Sequence, residues 1–264
     1  MNSPICLSSN KKKVGSDGVL LGISFYNGKI SRAIDQLKEG GLLTAPSGPG
    51  LSKDLVTCTE YKNSLQNSDI VLADSGLLCL WEKIFGKGVF KRISGLTFLK
   101  SFLERVNWNE ESCLWVMPDM DQAKFNKSWL EKKFQITIQE KSVYIAPIYP
   151  PKGKLADKAL LMTIEKTKPK YIFIQLGGGV QERLGNFLKN NLSYKPSILC
   201  TGAAIAFLSG LQAKIPNWAD KSYLGWLLRC FQNPRVFVPR YLSAVNLLYL
   251  LFRYGQRPPK LDYN

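Results

Sequence analysis

Hydrophobic and polar positions along the chain fall into blocks of two kinds. Short runs of β-branched, aromatic and aliphatic residues, such as "DIVLADSG" at 69–76 and "CLWVMPDMD" at 113–121, are typical of buried strands that end in a polar turn. Longer stretches carry apolar residues at helical spacing and end at glycine, as in 28–41. The alternation of the two kinds predicts an α/β fold: a mostly parallel, Rossmann-like sheet with helices on both faces. Ligands are then expected at the carboxyl ends of the strands.

The predicted elements follow one another from residue 18 to residue 210. A first strand at 18–27 and a helix at 28–41 form an opening strand–helix unit. Further strands are expected in 42–51, 69–76, 113–121, 143–151, 171–176 and 196–210, and further helices in 59–68, 77–85, 92–106, 125–134 and 155–167.

The chain divides by composition into three parts: a flexible N-terminal arm at 1–17, an α/β core at 18–214, and a basic, aromatic, helical appendage at 215–264. The arm has a basic cluster but no apolar stretch of signal-peptide type. Within 215–260 the only acidic residue is Asp220. Such a segment suits an anionic membrane surface, and it equally suits a helix that packs on the body with solvated arginines. Its longest apolar run, 241–254, is shorter than the roughly 20 residues that span a bilayer.

The composition limits the partners and the catalytic mechanisms that are possible for this chain. The formal charge of +16 predicts an anionic partner: nucleic acid, acidic lipid or a phosphorylated substrate. The chain has no histidine, which excludes Ser-His-Asp and Cys-His catalysis, so a general base is expected to be a carboxylate. The six cysteines are far apart without a C-x-x-C pair, and neither disulfides nor a zinc site is expected. No helix-turn-helix, finger or RNP signature supports nucleic-acid binding.

A glycine turn follows the strand in "YIFIQLGGGVQERLGNF" at 171–187. The dinucleotide fingerprint G-x-G-x-x-G fits Gly177 and Gly179 but then requires a glycine where Glu182 stands, and a P-loop lysine is missing. The turn therefore matches no standard nucleotide motif. A glycine run of this kind can also serve only to let a helix pack closely on the sheet.

Three stretches, in order, resemble the WecG/TagA/CpsF glycosyltransferases, glycosyltransferase family 26. These are "DIVLADSGLLCLWEKIFGKGVFKRISGLTFL" (69–99), "KPKYIFIQLGGGVQE" (168–182) and "GAAIAFLSGLQAKIPNWADKSYLGWLLRCFQNPRVFVPRYL" (202–242). They are similar to the family's Asp-Gly turn with Arg-x-x-G, its glycine turn with Gln-Glu, and its Gly-Leu-x-Trp and Arg-Tyr-Leu series. The resemblance implies transfer of a sugar to a polyprenyl-diphosphate-linked sugar in bacterial cell-surface polymer synthesis.

Carried onto this chain, the family's catalytic base falls on Asp74. An inverting sugar transfer needs one carboxylate to accept the proton of the attacking hydroxyl, so the assignment is chemically consistent. From the residues alone, an Asp before a helix is more often a cap than a base, here for a helix that starts near Leu77. The base assignment depends on the resemblance.

The resemblance also implies a substrate-binding set: Thr44 at a strand end, Arg92 for a substrate phosphate, Gly178, Gly179 and Gln181 at the glycine turn, and Arg229, Arg235 and Arg240 in the appendage. Guanidinium groups can neutralise a leaving nucleoside diphosphate in place of a divalent metal, so neither metal nor cofactor is expected. "DMD" at 119–121 has Asp-x-Asp spacing, but a solvated acidic loop is the simpler interpretation.

The predicted function is therefore inverting, metal-independent transfer of a hexose, an N-acetylhexosamine or its uronic acid from a UDP-sugar to a lipid-diphosphate-linked sugar. The predicted location is cytoplasmic, peripheral on the inner face of the cell membrane, with a second copy of the chain as a further candidate partner. Departures from the family pattern, such as Ser75 after the base and Ala206 in place of Asp, leave the donor open. The alternative is a diverged, non-catalytic protein that binds membrane or nucleic acid.

Overall fold

The computed structural model describes residues 18–86, 91–211, 230–231, 234–242 and 245–262. The predicted N-terminal arm, the boundary between 214 and 215, and Arg229 lie outside these residues.

A six-stranded, fully parallel sheet forms the centre of the molecule, in the order β4-β3-β8-β7-β5-β6. Its strands are β3 (Gly41–Thr44), β4 (Ile70–Val71), β5 (Cys113–Met117), β6 (Val143–Ile145), β7 (Tyr171–Ile174) and β8 (Ser197–Cys200). A separate antiparallel hairpin consists of β1 (Gly18–Leu20) and β2 (Ile23–Phe25). The parallel sheet confirms the predicted fold class.

Helices connect the strands. They are α1 (Ile30–Lys38), α2 (Leu55–Thr57), α3 (Thr59–Asn67), α4 (Gly76–Phe85), α5 (Gly95–Leu103), α6 (Met120–Phe134), α7 (Lys158–Thr167), α8 (Val180–Asn191), α9 (Ala204–Ser209), α10 (Pro234–Leu242) and α11 (Val245–Tyr254). A π-helical segment, Gly50–Asp54, leads into α2, and a 3₁₀ turn, Glu140–Ser142, precedes β6. In the part of the chain described, no helix is long and apolar enough to cross a membrane.

Alternate residues of the central strands pack against helices on opposite faces of the sheet. In β7, Tyr171 and Phe173 face one core with α1, α5, α6 and α9, while Ile172 and Ile174 face another with α7 and α8. Trp115 of β5 stacks on Phe173 at 4.1 Å between ring centroids. A strand buried on both faces reads as a continuous apolar run, which is why the pattern located β5 and β7 well.

The prediction of one strand at 18–27 was wrong. The chain turns back at Leu21 and Gly22, which have φ of 53° and 71°, the left-handed pair of a two-residue hairpin turn. Leucine is unusual there, but its side chain is fully buried and its N–H donates to the Gly255 carbonyl at 2.8 Å. The turn thus depends on the distant C-terminal segment, which local sequence cannot show.

One face of α11 packs on the body. Leu247, Leu250 and Leu251 are buried in a cluster shared with the hairpin, α2, α3 and α4. The opposite face exposes Tyr249 and Phe252. The packed-helix interpretation therefore holds for one side of α11, and an exposed aromatic side remains.

Candidate active site

Four strand ends meet at the carboxyl edge of the sheet. Asp74 follows β4, Ala45 follows β3, Thr201 follows β8 and Gln175 follows β7. Because these strands are parallel and adjacent in the order β4-β3-β8-β7, their ends form one continuous line. This edge is the expected place for a ligand in an open α/β sheet.

Asp74 lies at one end of this line, with 28% of its side chain exposed. Its Oδ1 accepts a hydrogen bond from the Gly95 N–H at 3.2 Å and lies 3.8 Å from an Nη of Arg92. Arg92 Nε also donates to the Asp74 carbonyl at 2.9 Å. The resemblance implied separate roles for Asp74 and Arg92, and the structure brings the two residues into direct contact.

The Arg-x-x-Gly spacing of 92–95 has a clear structural reason. Arg92 contacts the backbone and the carboxylate of Asp74, and three residues later Gly95 donates its N–H to the same carboxylate. A Cβ on Gly95 would lie 3.2 Å from the Ala45 Cβ and 3.5 Å from the Thr201 carbonyl oxygen. Glycine therefore lets the first turn of α5 sit directly on the ends of β3 and β8.

The capping interpretation of Asp74 is wrong for α4. Ser75 is the N-cap, and its hydroxyl oxygen accepts a hydrogen bond from the Leu78 N–H at 3.3 Å. The departure of Ser75 from the family's glycine thus provides a helix cap. The Asp74 carboxylate instead contacts Gly95 at the start of α5 and Arg92.

The glycine turn lies toward the other end of the line, at the start of α8. Gly177 and Gly178 are exposed, whereas Gly179 is buried with φ of 86°. The Gly179 N–H donates to Glu182 Oε2 at 2.7 Å. A carboxylate three residues into the helix thus takes the N–H that a phosphate would use in a nucleotide-binding turn.

Gln181 connects two of the turns. It is 2% exposed; its Oε1 accepts from the Gly202 N–H at 2.7 Å, and its Nε2 donates to Glu182 Oε1 at 3.1 Å. Gln175 makes a parallel connection through Thr201 Oγ1, at 3.2 Å. The turns after β7 and β8 are therefore held together by buried amides.

Thr44 is fully buried at the end of β3, and its hydroxyl donates to Ser68 Oγ at 3.1 Å. Its side chain is therefore directed toward the C-terminal end of α3. Its predicted role in positioning sugars stays a prediction.

Arg183 links the glycine turn to the loop after β6. It is 3% exposed and donates to three carbonyl oxygens, those of Gly179, Pro150 and Gly153, at 2.7–2.8 Å. The loop after β6 is thereby tied to the turn after β7.

The predicted arginines of the appendage are placed only in part. Arg235 lies on α10 with an exposed side chain. Arg240 lies on the same helix, but its side chain is outside the described residues, and Arg229 is outside them altogether.

The "DMD" segment begins α6. Asp119 is its N-cap, and its Oδ1 accepts from the Gln122 N–H at 2.7 Å. Among the residues that the structure describes, no three cysteine, aspartate or glutamate side chains group as metal ligands would. The acidic pair is thus a helix start, where a carboxylate is stabilising.

Sequence reasoning missed two carboxylates beside the glycine turn as site residues. Asp54 ends the π-helical segment, and its Oδ2 would lie 3.0 Å from a Cβ on Gly179. No local pattern indicates this, since Asp54 reaches the turn through tertiary packing. Glu182, in contrast, stands three residues after Gly179, which is the glutamate position of a capping box.

Glu182 is 1% exposed, and burial raises its pKa from an ordinary 4.5 to about 7, against hydrogen bonds from Gly179 and Gln181 that lower it. The charge of Asp54 contributes to the rise. Glu182 therefore changes protonation near neutral pH at the base of the glycine turn.

Two comparisons with known proteins test the family resemblance. The chain is 22% identical over 229 residues to an N-acetylglucosaminyldiphosphoundecaprenol N-acetyl-β-D-mannosaminyltransferase of Bacillus spizizenii, and the match covers 84% of each chain. A model of the glycosyl transferase WecG/TagA/CpsF family matches residues 19–260, which include the whole described carboxyl edge. The protein is therefore a glycosyltransferase that belongs to the WecG/TagA/CpsF family.

Proposed function

We propose that this glycosyltransferase inverts the anomeric centre and moves a hexose, an N-acetylhexosamine or its uronic acid from a UDP-sugar to a polyprenyl-diphosphate-linked sugar in cell-surface polymer synthesis. Asp74 is the general base, and the reaction needs no metal. The relative in Bacillus spizizenii carries a lipid-diphosphate-linked N-acetylglucosamine in its name as the acceptor, which supports an acceptor of this class.

The observation that carries the proposal is the environment of Asp74. A base must be reachable by the acceptor hydroxyl and held in one orientation, and Asp74 is part exposed while its Oδ1 is held by Gly95 and Arg92. A carboxylate has acceptor lone pairs only, so an N–H donor and a guanidinium are suitable partners. The acceptor oxygen bonds to the anomeric carbon as the bond from that carbon to UDP breaks; the acceptor proton passes to Asp74, and the negative charge stays on the diphosphate.

The charge of the departing diphosphate requires cations. Arg92 contacts Asp74 through its Nε and one Nη. We propose that its guanidinium also contacts a phosphate of the substrate. Arg229, Arg235 and Arg240 complete the set in this proposal. Thr44, Gly178, Gly179 and Gln181 contribute by holding the turns on which the sugars lie.

An exposed aromatic surface supports action at an anionic membrane. We define the α4–α11 patch as Trp81, Ile84, Phe85, Tyr249 and Phe252. Ile84, Phe85 and Phe252 are each about 60% exposed, and the rings of Phe85 and Phe252 are 4.9 Å apart. The exposed cations Lys83 and Arg253 flank the patch, so it offers both apolar insertion and attraction to acidic lipid.

The patch also explains how a lipid-linked acceptor reaches the base. Helix α4 begins two residues after Asp74 and carries Ile84 and Phe85 at its far end, about 15 Å along the helix. A polyprenyl chain held in the bilayer at the patch can therefore present its sugar to Asp74. We propose that the enzyme acts peripherally, on the inner face of the membrane.

The test is a transfer assay with a panel of UDP-sugars and a polyprenyl-diphosphate acceptor that bears one N-acetylglucosamine or glucose, with the product mass measured. Wild-type protein should add one sugar with EDTA present. Asp74→Asn should lower the rate by about 10²–10⁴-fold, since Asn still accepts the Gly95 N–H but takes no proton.

Asp119→Asn is the matched control. Asp119 also follows a strand of the sheet and accepts a backbone N–H, and Asn caps helices as well as Asp does. It should leave transfer unchanged. Full activity of Asp74→Asn, or loss of wild-type activity in EDTA, would contradict the proposed mechanism.

A further inference from the structure

Two loops at the β4 end of the carboxyl edge carry three exposed cations, Lys29, Arg32 and Lys91, which we call the basic rim. Lys29 and Arg32 stand at the start of α1, and Lys91 precedes Arg92 in the extended segment that leads to α5. Among the residues that the structure describes, no carboxylate forms an ion pair with any of the three. The basic rim is therefore available to an anion from outside the chain.

The two loops that carry the basic rim are in contact. The Lys91 N–H donates a hydrogen bond to Asn27 Oδ1 at 3.4 Å, and the Tyr26 hydroxyl donates to the Lys29 carbonyl at 3.0 Å. Burial raises the pKa of Tyr26, and the positive charge of Arg32 opposes that rise, so Arg32 lies near the same hydroxyl. The three cations thus belong to one surface, although Lys91 is far from the other two in the sequence.

This surface lies at the carboxyl edge, beside Asp74. The Tyr26 N–H donates to the carbonyl of Val71, the last residue of β4, at 2.8 Å. At the other end of α1, the Leu37 carbonyl accepts a hydrogen bond from the hydroxyl of Ser197, the first residue of β8. Helix α1 therefore runs from the carboxyl edge toward the amino edge, and the basic rim at its start stands next to the end of β4.

The surroundings of the basic rim leave its charge uncompensated. Neither 26–34 nor 91–103 contains an aspartate or a glutamate. Asp35 comes next on α1, but it lies 3.6 Å from Arg105. Three cations on one surface produce a positive potential that attracts a multiply charged anion more strongly than a singly charged one.

The covalent order of the acceptor indicates which anion meets this surface. In a polyprenyl-diphosphate-linked sugar, the diphosphate lies between the sugar and the lipid. The proposed reaction holds the sugar at Asp74 and the lipid at the α4–α11 patch. The hairpin that leads into α1 shares one hydrophobic cluster with α4 and α11, so the base, the patch and the basic rim all lie at the β4 end of the sheet. A diphosphate between the sugar and the lipid can therefore reach the basic rim.

We infer that Lys29, Arg32 and Lys91 bind the diphosphate of the lipid-linked acceptor. The inference rests on the proposed function and adds a second phosphate site, separate from Arg92 and the leaving UDP. The basic rim selects acceptors with two phosphates over acceptors with one, because the second phosphate meets a further cation. Arg32 offers a planar pair of donors, and the two lysines add compact positive charges.

The experiment compares farnesyl-diphosphate-linked N-acetylglucosamine with its monophosphate counterpart. Binding is measured by calorimetry in detergent, without donor. Wild-type protein should bind the diphosphate form at least about tenfold more tightly. With Lys29→Gln, Arg32→Gln and Lys91→Gln combined, the two forms should bind within about threefold of each other. In transfer assays this rim variant should raise the KM for the acceptor about tenfold, while kcat and the KM for the UDP-sugar stay within about threefold.

Lys124→Gln, Lys132→Gln and Lys133→Gln combined are the matched control. These lysines are exposed on α6, which follows β5, and their replacement removes the same charge. The control should bind and transfer as the wild type does. Thermal unfolding checks that both triple variants fold. Arg32→Gln and Lys91→Gln alone should each raise the KM for the acceptor, so the test does not depend on the triple variant.

Four results would overturn the inference. Two are equal binding of the two acceptor forms by the wild type and an equal loss of binding in the α6 control. A third is an equal rise in the KM for the UDP-sugar, which would assign the basic rim to the donor. The fourth uses vesicles of phosphatidylglycerol: loss of vesicle binding by the rim variant, with an unchanged KM for the acceptor in detergent, would assign the basic rim to lipid head groups.

The binding and transfer measurements separate this inference from the proposed function. Preference for the diphosphate form without transfer from any UDP-sugar would support the basic rim and contradict the proposed reaction. Transfer with an unchanged KM for the acceptor in the rim variant would do the reverse.

Discussion

The two ends of the carboxyl edge are built differently. At the β7 end, Gln175, Gln181, Glu182 and Arg183 are each less than 5% exposed and bond to backbone or to one another. At the β4 end, Asp74 is 28% exposed and Arg92 is 17% exposed. We call the buried, hydrogen-bonded residues at the β7 end the platform. We call Asp74 and Arg92, which solvent can reach at the β4 end, the reachable pair. A transferase needs both, since a fixed surface positions the sugar while the base must meet an incoming hydroxyl.

After loss of the base Asp74, removal of the cation from the reachable pair should have the next largest effect. Arg92→Ala should lower kcat/KM by about 10²–10³-fold, because it removes both the partner of Asp74 and a charge toward the phosphates. Arg92→Lys should recover little, since lysine lacks the planar fork that spans two acceptors. The measurement is steady-state transfer with folding checked by thermal unfolding. Activity of Arg92→Ala within threefold of the wild type would show that Arg92 is not part of the active site.

The platform should respond to pH through Glu182. Its pKa of about 7 exceeds the ordinary 4.5, so the folded state holds this proton more tightly than the unfolded state does. The free energy of unfolding should therefore fall as pH rises from about 4.5 to 7, by at most about 3 kcal/mol from this group. Gln does not titrate, so Glu182→Gln should lose this fall in the free energy of unfolding. Urea unfolding measured between pH 5 and 7 tests it.

Glu165→Gln provides the comparison. Hydrogen bonds from Ser193 lower the pKa of Glu165, so its contribution to stability changes only below its ordinary pKa. For Glu165→Gln, the free energy of unfolding should change with pH between 5 and 7 as it does for the wild type. The same slope in Glu182→Gln would show that Glu182 does not titrate in this range.

The smallest effect is expected at Thr44, which lies beneath the edge. Thr44→Val keeps the shape but removes the hydrogen bond to Ser68, and it should lower the free energy of unfolding by about 1 kcal/mol. Because the side chain is fully buried, kcat/KM should change less than about threefold. A large loss of activity with unchanged stability would instead identify Thr44 as a direct substrate contact.

The sequence alone determined the fold class and the line of strand ends. Apolar runs such as β5 and β7 are continuous because both faces are buried, and helical spacing marks the helices between them. Parallel strands then bring Asp74, Thr44 and the glycine turn to one edge, so their approximate neighbourhood follows from connectivity. The resemblance added Asp74 and Arg92 as candidate site residues, and their contact is seen only in the tertiary structure.

Only the tertiary structure decided the contacts that lack a local signal. The hairpin turn at Leu21 is held by Gly255, more than 200 residues away, and Asp54 reaches the glycine turn through a π-helical segment. It also decided that Ser75, not Asp74, caps α4. The reason is physical: burial and hydrogen-bond satisfaction depend on which distant groups meet, whereas a sequence pattern records only the periodicity of each element.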